Sequence, residues 1–306
     1  MLNGLSGKTA VLTGAGSGFG LECMRIAAKA GMQLVLVDVQ ADALGLAAQQ
    51  ARSLGAKQVM ACTVDVGNAE AMEALAQEVK ATFGAPHFVF NNAGVGGSGG
   101  LVWEQSARDW EWVLNVNLWG VIHGVRLFTP MMLEAAAQDP DWQGHIVNTA
   151  SMAGLLAPPN MGVYNVSKHA VVSLTETLYQ DLMLVTDQVH CSVLCPYFVP
   201  TGIATSERNR PDALDDAQMT ASQKIARAMT QKAVKSGKVT AEDIASKVFA
   251  AMADNQFYIF SHPQALGNVQ TRMEDIMELR NPTDAFASRP EVGAQLRSEL
   301  RGTSAL

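Results

Sequence analysis

At 306 residues the chain is long enough for two average domains, yet a doubly wound α/β sheet absorbs about 250 residues as one. Lys and Arg number 22 against 29 Asp and Glu, and the resulting formal charge of −7 argues against nucleic acid or anionic lipid as a partner. With 48% apolar and 17% charged residues, the chain can bury a large core and lacks the signature of disorder.

The first residues, MLNGLSGKTAVLTG, run straight into strand-like sequence without a basic region and a long apolar stretch, so no secretory signal is expected. Short β-rich apolar runs follow at 9–13, 34–38, 59–64, 88–91, 145–149, 189–195 and 257–260. Apolar on both faces, they suit a parallel sheet covered by helices. Amphipathic stretches lie between them at 21–30, 43–54, 69–83, 110–137, 163–185 and 241–253. This alternation predicts an α/β fold, a doubly wound parallel β-sheet with helices on both faces.

Residues 201–238 are polar, longer than a usual βα connection, and follow a strand's carboxyl end, so they are expected to form a lid over a ligand. Past residue 262 come one amphipathic segment, 269–279, and a polar tail with Pro282 and Pro290. Residues 1–262 are therefore expected to form the catalytic domain and 263–306 an appended extension too short for its own core. No run reaches about 18 consecutive apolar residues, which predicts no membrane span. Cys23, Cys62, Cys191 and Cys195 form no CxxC pair and read as reduced, cytoplasmic thiols.

The first strand leads into Thr13-Gly14-Ala15-Gly16-Ser17-Gly18-Phe19-Gly20. The spacing is TGxxxGxG; GxGxxG fails, because Phe19 or Leu21 would stand at the last glycine. Between strand and helix, such glycines permit a tight turn and close approach of backbone N–H groups to a pyrophosphate. Asp38 ends the second strand eighteen residues beyond Gly20, where an acidic side chain accepts hydrogen bonds from adenosine ribose hydroxyls. Gly7-Lys8-Thr9 imitates the end of a P-loop but lacks its preceding strand and first glycine.

Tyr164 and Lys168 stand four apart on a helical stretch, one turn from each other on the same face. A phenol of pKa about 10 needs a nearby cation to ionise near neutrality, and Lys168 could be that cation. Ser151 follows the strand at 145–149, at the same edge. Each residue alone reads as an ordinary surface group; their combination points to acid/base chemistry. The six histidines form no HxxxH or HExxH arrangement, so no metal site is expected, and Ser151 lacks the GxSxG flanks of a hydrolase nucleophile. Most of the five tryptophans read as core.

With these pieces, Asp65-Val66, Asn91-Asn92-Ala93-Gly94, Val116-Asn117-Leu118, Tyr164-Asn165-Val166-Ser167-Lys168 and Pro196 with Thr201, the sequence resembles the short-chain dehydrogenase/reductase family over about residues 5–261. The resemblance implies a Rossmann fold, Tyr164 as catalytic acid/base, Lys168 lowering its pKa and holding the nicotinamide ribose, and Ser151 bonding the substrate oxygen. It implies further that Asn117 bends a helix and orders a relay water. Cofactor contacts would come from Gly14, Ser17, Gly18, Phe19, Gly20, Asp38, Asp65, Val66, Asn92, Tyr164, Lys168, Val199 and Thr201. Asp38 with neutral Ser17 and Val39 favours NAD over NADP. Tyr197 replaces the family's usual glycine and is expected to reshape the wall beside the nicotinamide. The implied protein is a homodimer or homotetramer interconverting a secondary alcohol and a ketone on an apolar small molecule. A catalytically silent dinucleotide sensor on the same fold is the alternative.

Overall fold

Seven parallel strands, β1 (Thr9–Thr13), β2 (Gln33–Asp38), β3 (Gln58–Thr63), β4 (Phe88–Asn91), β5 (Gly144–Thr149), β6 (Val189–Cys195) and β7 (Tyr258–Phe260), form one sheet in the order β3-β2-β1-β4-β5-β6-β7. This is the arrangement in the computed structural model, which describes residues 4–211 and 218–303. The order reverses between β1 and β4, which opens a crevice at the carboxyl ends of those two strands. β1, β4 and β5 are buried along their whole length, as strands covered on both faces must be.

The pleat sorts the core into two layers. Ala10, Leu12, Phe88 and Phe90 point toward α1 (Gly18–Lys29), α2 (Ala41–Ser53) and α8 (Ala241–Asp254), where Ala27, Ala47 and Ile244 pack. Val11, Val89 and Ile146 face α3 (Ala69–Phe83), α5 (Gly120–Gln138) and α6 (Gly162–Val185), meeting Met72, Phe128 and Leu178. Close packing there requires glycine: a Cβ on Gly124 of α5 would overlap the Asn91 side chain on β4.

Three segments depart from the sequence expectation. The single helix expected over 110–137 is α4 (Ala107–Leu114) and α5 separated by a π-turn, Asn115–Trp119. The polar segment after β6 contains a 3₁₀ stretch, Gly202–Asn209, and α7 (Ala221–Lys235), opened by a Thr220/Gln223 capping box. Part of the expected lid, residues 212–217, lies outside the described residues. Beyond α9 (Leu266–Met277) the polar tail forms α10 (Pro290–Thr303), which packs on α7 and buries Leu296. A mostly polar face hides the apolar positions of α10 from a periodicity count, and its partner is remote in sequence. Among the described residues no helix is long and apolar enough to cross a membrane.

Candidate active site

The turn after β1 is built to leave backbone groups free. Gly14 and Gly18 hold φ of 65° and 53°, a region that favours glycine, and a Cβ on Gly20 would overlap the Gly14 carbonyl, so α1 can approach β1 closely. Ser17 is the N-cap of α1, yet its side chain makes no capping bond. The first N–H groups of α1 therefore remain available at the positive end of the helix dipole. Gly14, Ser17, Gly18 and Phe19 line a cleft of about 1930 Å³; Gly20 is buried in the first turn of α1 and does not line it.

At the end of β2, Asp38 accepts from the Gly16 N–H through Oδ2 and from the Gln40 N–H through Oδ1, both at 2.9 Å. A carboxylate so held keeps lone pairs for a further donor. Asp65 accepts from the Gly67 N–H at 2.9 Å, which turns the chain so that Asp65 and the buried Val66 border the same cleft. Asn92 donates through Nδ2 to the Thr13 carbonyl at 3.0 Å, and Thr13 Oγ1 accepts from the N–H groups of Asn92 and Ala93. Asn92 thus ties β4 to the glycine turn while still bordering the cleft. Val199 is buried in its wall, and Thr201 lies directly over Gly18.

Ser151, Tyr164 and Lys168 converge at the carboxyl ends of β5 and β6. The Ser151 hydroxyl donates to the Pro196 carbonyl at 3.3 Å and accepts from the Ala153 N–H at 3.1 Å. Tyr164 is partly open to the cleft; burial pushes its phenol above the usual 10, and its hydrogen-bonding interaction with the Ser151 side chain pulls it back in part. The Lys168 ammonium lies 5.8 Å from the Tyr164 ring centroid and donates to the Thr149 carbonyl at 2.8 Å. Burial lowers Lys168 itself to about 8. Desolvation is thus the larger influence on the phenol, and the Lys168 ammonium stands beside its ring.

Asn117 sits in the π-turn, fully buried. Its Oδ1 accepts from the Val95 N–H at 2.8 Å, and its Nδ2 donates to the Val95 carbonyl at 2.9 Å and to Ser167 Oγ at 3.1 Å. The side chain clamps the loop after β4, and its Oδ1 keeps one lone pair. The π-turn separates α4 from α5 at the point where the asparagine stands.

The segment after β6 crosses the cleft as a strap. Ser206 Oγ accepts from the Gly96 N–H at 2.8 Å, Asn209 Oδ1 accepts from Gln40 Nε2 at 2.6 Å, and Arg210 Nη1 meets Asp109 Oδ1 at 2.6 Å. The Arg210–Asp109 pair is almost wholly enclosed, with 7% and 3% of the side chains exposed, and the guanidinium stands over the Trp112 ring at 5.4 Å. Burial would raise the Asp109 carboxyl, but the Ser98 hydroxyl, Arg210 and the Ser106 N–H hold it below the usual carboxylate range. Burial raises the neighbouring Glu207 carboxyl against the pull of Arg210. Neither member of the pair carried a sequence signal, because α4 and the strap are far apart along the chain.

Inside, the cleft is lined by Trp112, Met152, Leu156, Met161, Phe198 and, from α10, Leu296. Tyr197 also lines it, with its ring 4.6 Å from that of Phe198 and 5.8 Å from that of His262. Of the tryptophans expected in the core, Trp112 is buried, whereas Trp103 is 76% and Trp119 48% exposed.

The chain is similar to proteins of known kind. The family model for short chain dehydrogenase matches residues 8–212. A CLA biosynthesis dehydrogenase/reductase of Lactiplantibacillus plantarum is 31% identical over 88% of this chain and 93% of its own. The 1-deoxy-11-beta-hydroxypentalenate dehydrogenase of Streptomyces exfoliatus is 32% identical over 89% of each. A crystal structure of a short chain dehydrogenase/reductase from Burkholderia phymatum in complex with NAD superposes with a TM-score of 0.88 at 52% identity, covering 92% of this chain and 99% of that one. The parallel sheet with its glycine turn, and a family match across about two thirds of the chain, have one meaning: the chain belongs to the short-chain dehydrogenase/reductase family of oxidoreductases.

Proposed function

We propose that the protein is an NAD-dependent oxidoreductase that interconverts a secondary alcohol and a ketone on an apolar small molecule. The observation that carries this reading is the convergence of Ser151, Tyr164 and Lys168 beside a glycine turn whose first helical N–H groups lack a side-chain cap. The donor set fits a dinucleotide: uncapped N–H groups for a pyrophosphate, Asp38 for ribose hydroxyls, and Asp65, Val66, Asn92, Val199 and Thr201 along the remaining wall. A nicotinamide held there would accept or donate the hydride.

The chain's own groups handle the proton and the orientation. The Tyr164 phenol gives its proton to the ketone oxygen on reduction and takes it back from the alcohol on oxidation. The Ser151 hydroxyl orients that oxygen. Lys168 places a positive charge near the phenol and the cofactor ribose, and Asn117 fixes the Val95 wall that faces them. The strap from Thr201 excludes water from the reaction, which supports the lid reading of residues 201–238. Residues 1–262 serve as the catalytic domain, and the 263–306 extension closes the outer wall of its cleft through α10.

The apolar lining supports an apolar substrate, and the hydroxyl and alcohol in the names of the hydroxypentalenate and cyclohexanol dehydrogenases among the relatives support a CH–OH group as the reacting centre. Four free cysteines support a cytoplasmic setting, and exposed Trp119 and Val166 support a homodimer or homotetramer. The direct test is Tyr164→Phe, which should abolish turnover of secondary alcohols with NAD while NADH still binds, because the change removes the proton donor and little volume. Full turnover in the variant would sink the acid/base role.

A further inference from the structure

We propose that Asn209 of the strap is a second determinant of dinucleotide choice, acting with Asp38 through Gln40. This rests on the reading that the adenosine ribose lies at Asp38. Gln40 follows that carboxylate by two positions, and its N–H donates to Asp38 Oδ1 at 2.9 Å. Its side chain is drawn away toward the strap: Gln40 Nε2 donates to Asn209 Oδ1 at 2.6 Å, across a sequence separation of 169 residues. Asp38, Gln40 and Asn209 all border the one cleft.

A phosphate on the ribose 2′-oxygen would project into this corner. Three features oppose it there. Asp38 repels its charge. The Gln40 amide spends one of its two N–H donors on Asn209 and is held turned toward the strap. The Asn209 side chain itself fills the space beside Gln40 and presents an acceptor oxygen to it. Arg208, the basic residue next to Asn209, is turned back on its own helical turn, with Nη1 donating to the Gly202 and Thr205 carbonyls. Seating a 2′-phosphate therefore requires breaking the Gln40–Asn209 bond and lifting this end of the strap, whereas a ribose with free hydroxyls leaves both in place. Selectivity is built partly by obstruction of the wrong ligand.

The test uses binding, not turnover. Dissociation constants for NADH, NADPH, 5′-AMP and adenosine 2′,5′-bisphosphate are measured by calorimetry and nicotinamide fluorescence on the full chain. The proteins compared are the wild type, Asp38→Ala, Asp38→Ala/Asn209→Ala, and the latter with Gln40→Ala added. Asn209→Ala on the Asp38→Ala background should tighten NADPH and the bisphosphate by about fivefold, the worth of one ordinary hydrogen bond, and leave NADH and AMP within about twofold. Adding Gln40→Ala should remove that gain, since the freed amide is then absent. Equal changes for phosphorylated and unphosphorylated ligands would overturn the proposal, because Asn209 would then only hold the strap. No change for any ligand would overturn it as well. Wild-type protein that binds neither NADH nor AMP would instead overturn the underlying placement of the ribose.

Discussion

Removing Arg210 should unlatch the strap while leaving the sheet intact. Its guanidinium is 7% exposed, 2.6 Å from a carboxylate that is itself 3% exposed, and stacked over Trp112. Breaking an enclosed pair typically costs about 3–5 kcal/mol, largely the penalty of the charge left behind. The charges left behind are Glu207, 3.6 Å away and one-third exposed, and Asp109, which keeps the Ser98 hydroxyl at 2.6 Å and both the N–H and the hydroxyl of Ser106. The loss in Arg210→Ala should therefore sit near the low end, about 3 kcal/mol, which is roughly two orders of magnitude in the strap's closing equilibrium. Hydrogen exchange reads this directly: the amides of Gly96, which donates to Ser206, and of Arg210, which donates to Glu207, should lose protection, while those of β1, β4 and β5 keep theirs. Asp109→Ala should open the strap and lower Tm too, because it removes half of the Ser106/Asp109 capping box on α4, worth about 1 kcal/mol. The latch reasoning fails if Arg210→Ala leaves exchange over 202–210 unchanged, or if both variants lower Tm equally.

Other outcomes follow from the same geometry. With Lys168 lowered to about 8 by burial, its ammonium is present below that pH and lost above it, so kcat/KM for NAD should fall as pH rises through about 8. Lys168→Met should remove that limb, and a limb that persists would assign it elsewhere. In stability the sign is opposite: the folded chain binds fewer protons than the unfolded one between about 8 and 10.5, so the desolvation cost of Lys168 is complete below 8 and is relieved as pH rises. Wild-type kcat/KM should favour NAD over NADP by at least about tenfold, and Asp38→Ala/Val39→Arg should shift preference toward NADP; a wild type faster with NADP would mean Asp38 faces no ribose. Deleting 290–303 strips α10 from α7 and should raise KM for the apolar substrate more than for NAD, because the cleft wall then loses Leu296 and its neighbours; equal changes would make α10 a purely structural brace.

The parallel sheet and the glycine turn were legible in the sequence because both are local. A strand buried on both faces must be apolar throughout, a 3.6-residue period declares a covering helix, and TGxxxGxG between them leaves few alternatives. Ser151, Tyr164 and Lys168 stood out for the same reason, each lying at a strand end or on one helical turn, and Asp38 stood out by its spacing from the glycine turn. What those groups do to one another was not. The direction of the Tyr164 shift depends on how much water burial removes and on where Lys168 finds its acceptor, and Thr149 became that acceptor only once β5 lay beside α6. The same holds for the strap and for α10. Arg210 with Asp109, Asn209 with Gln40, and Leu296 near α7 are contacts across long stretches of chain between segments that look merely polar. Periodicity reports which face of a segment is apolar; only the folded chain decides which distant polar group completes a site, because that choice is set by the sheet's strand order and not by neighbours in sequence.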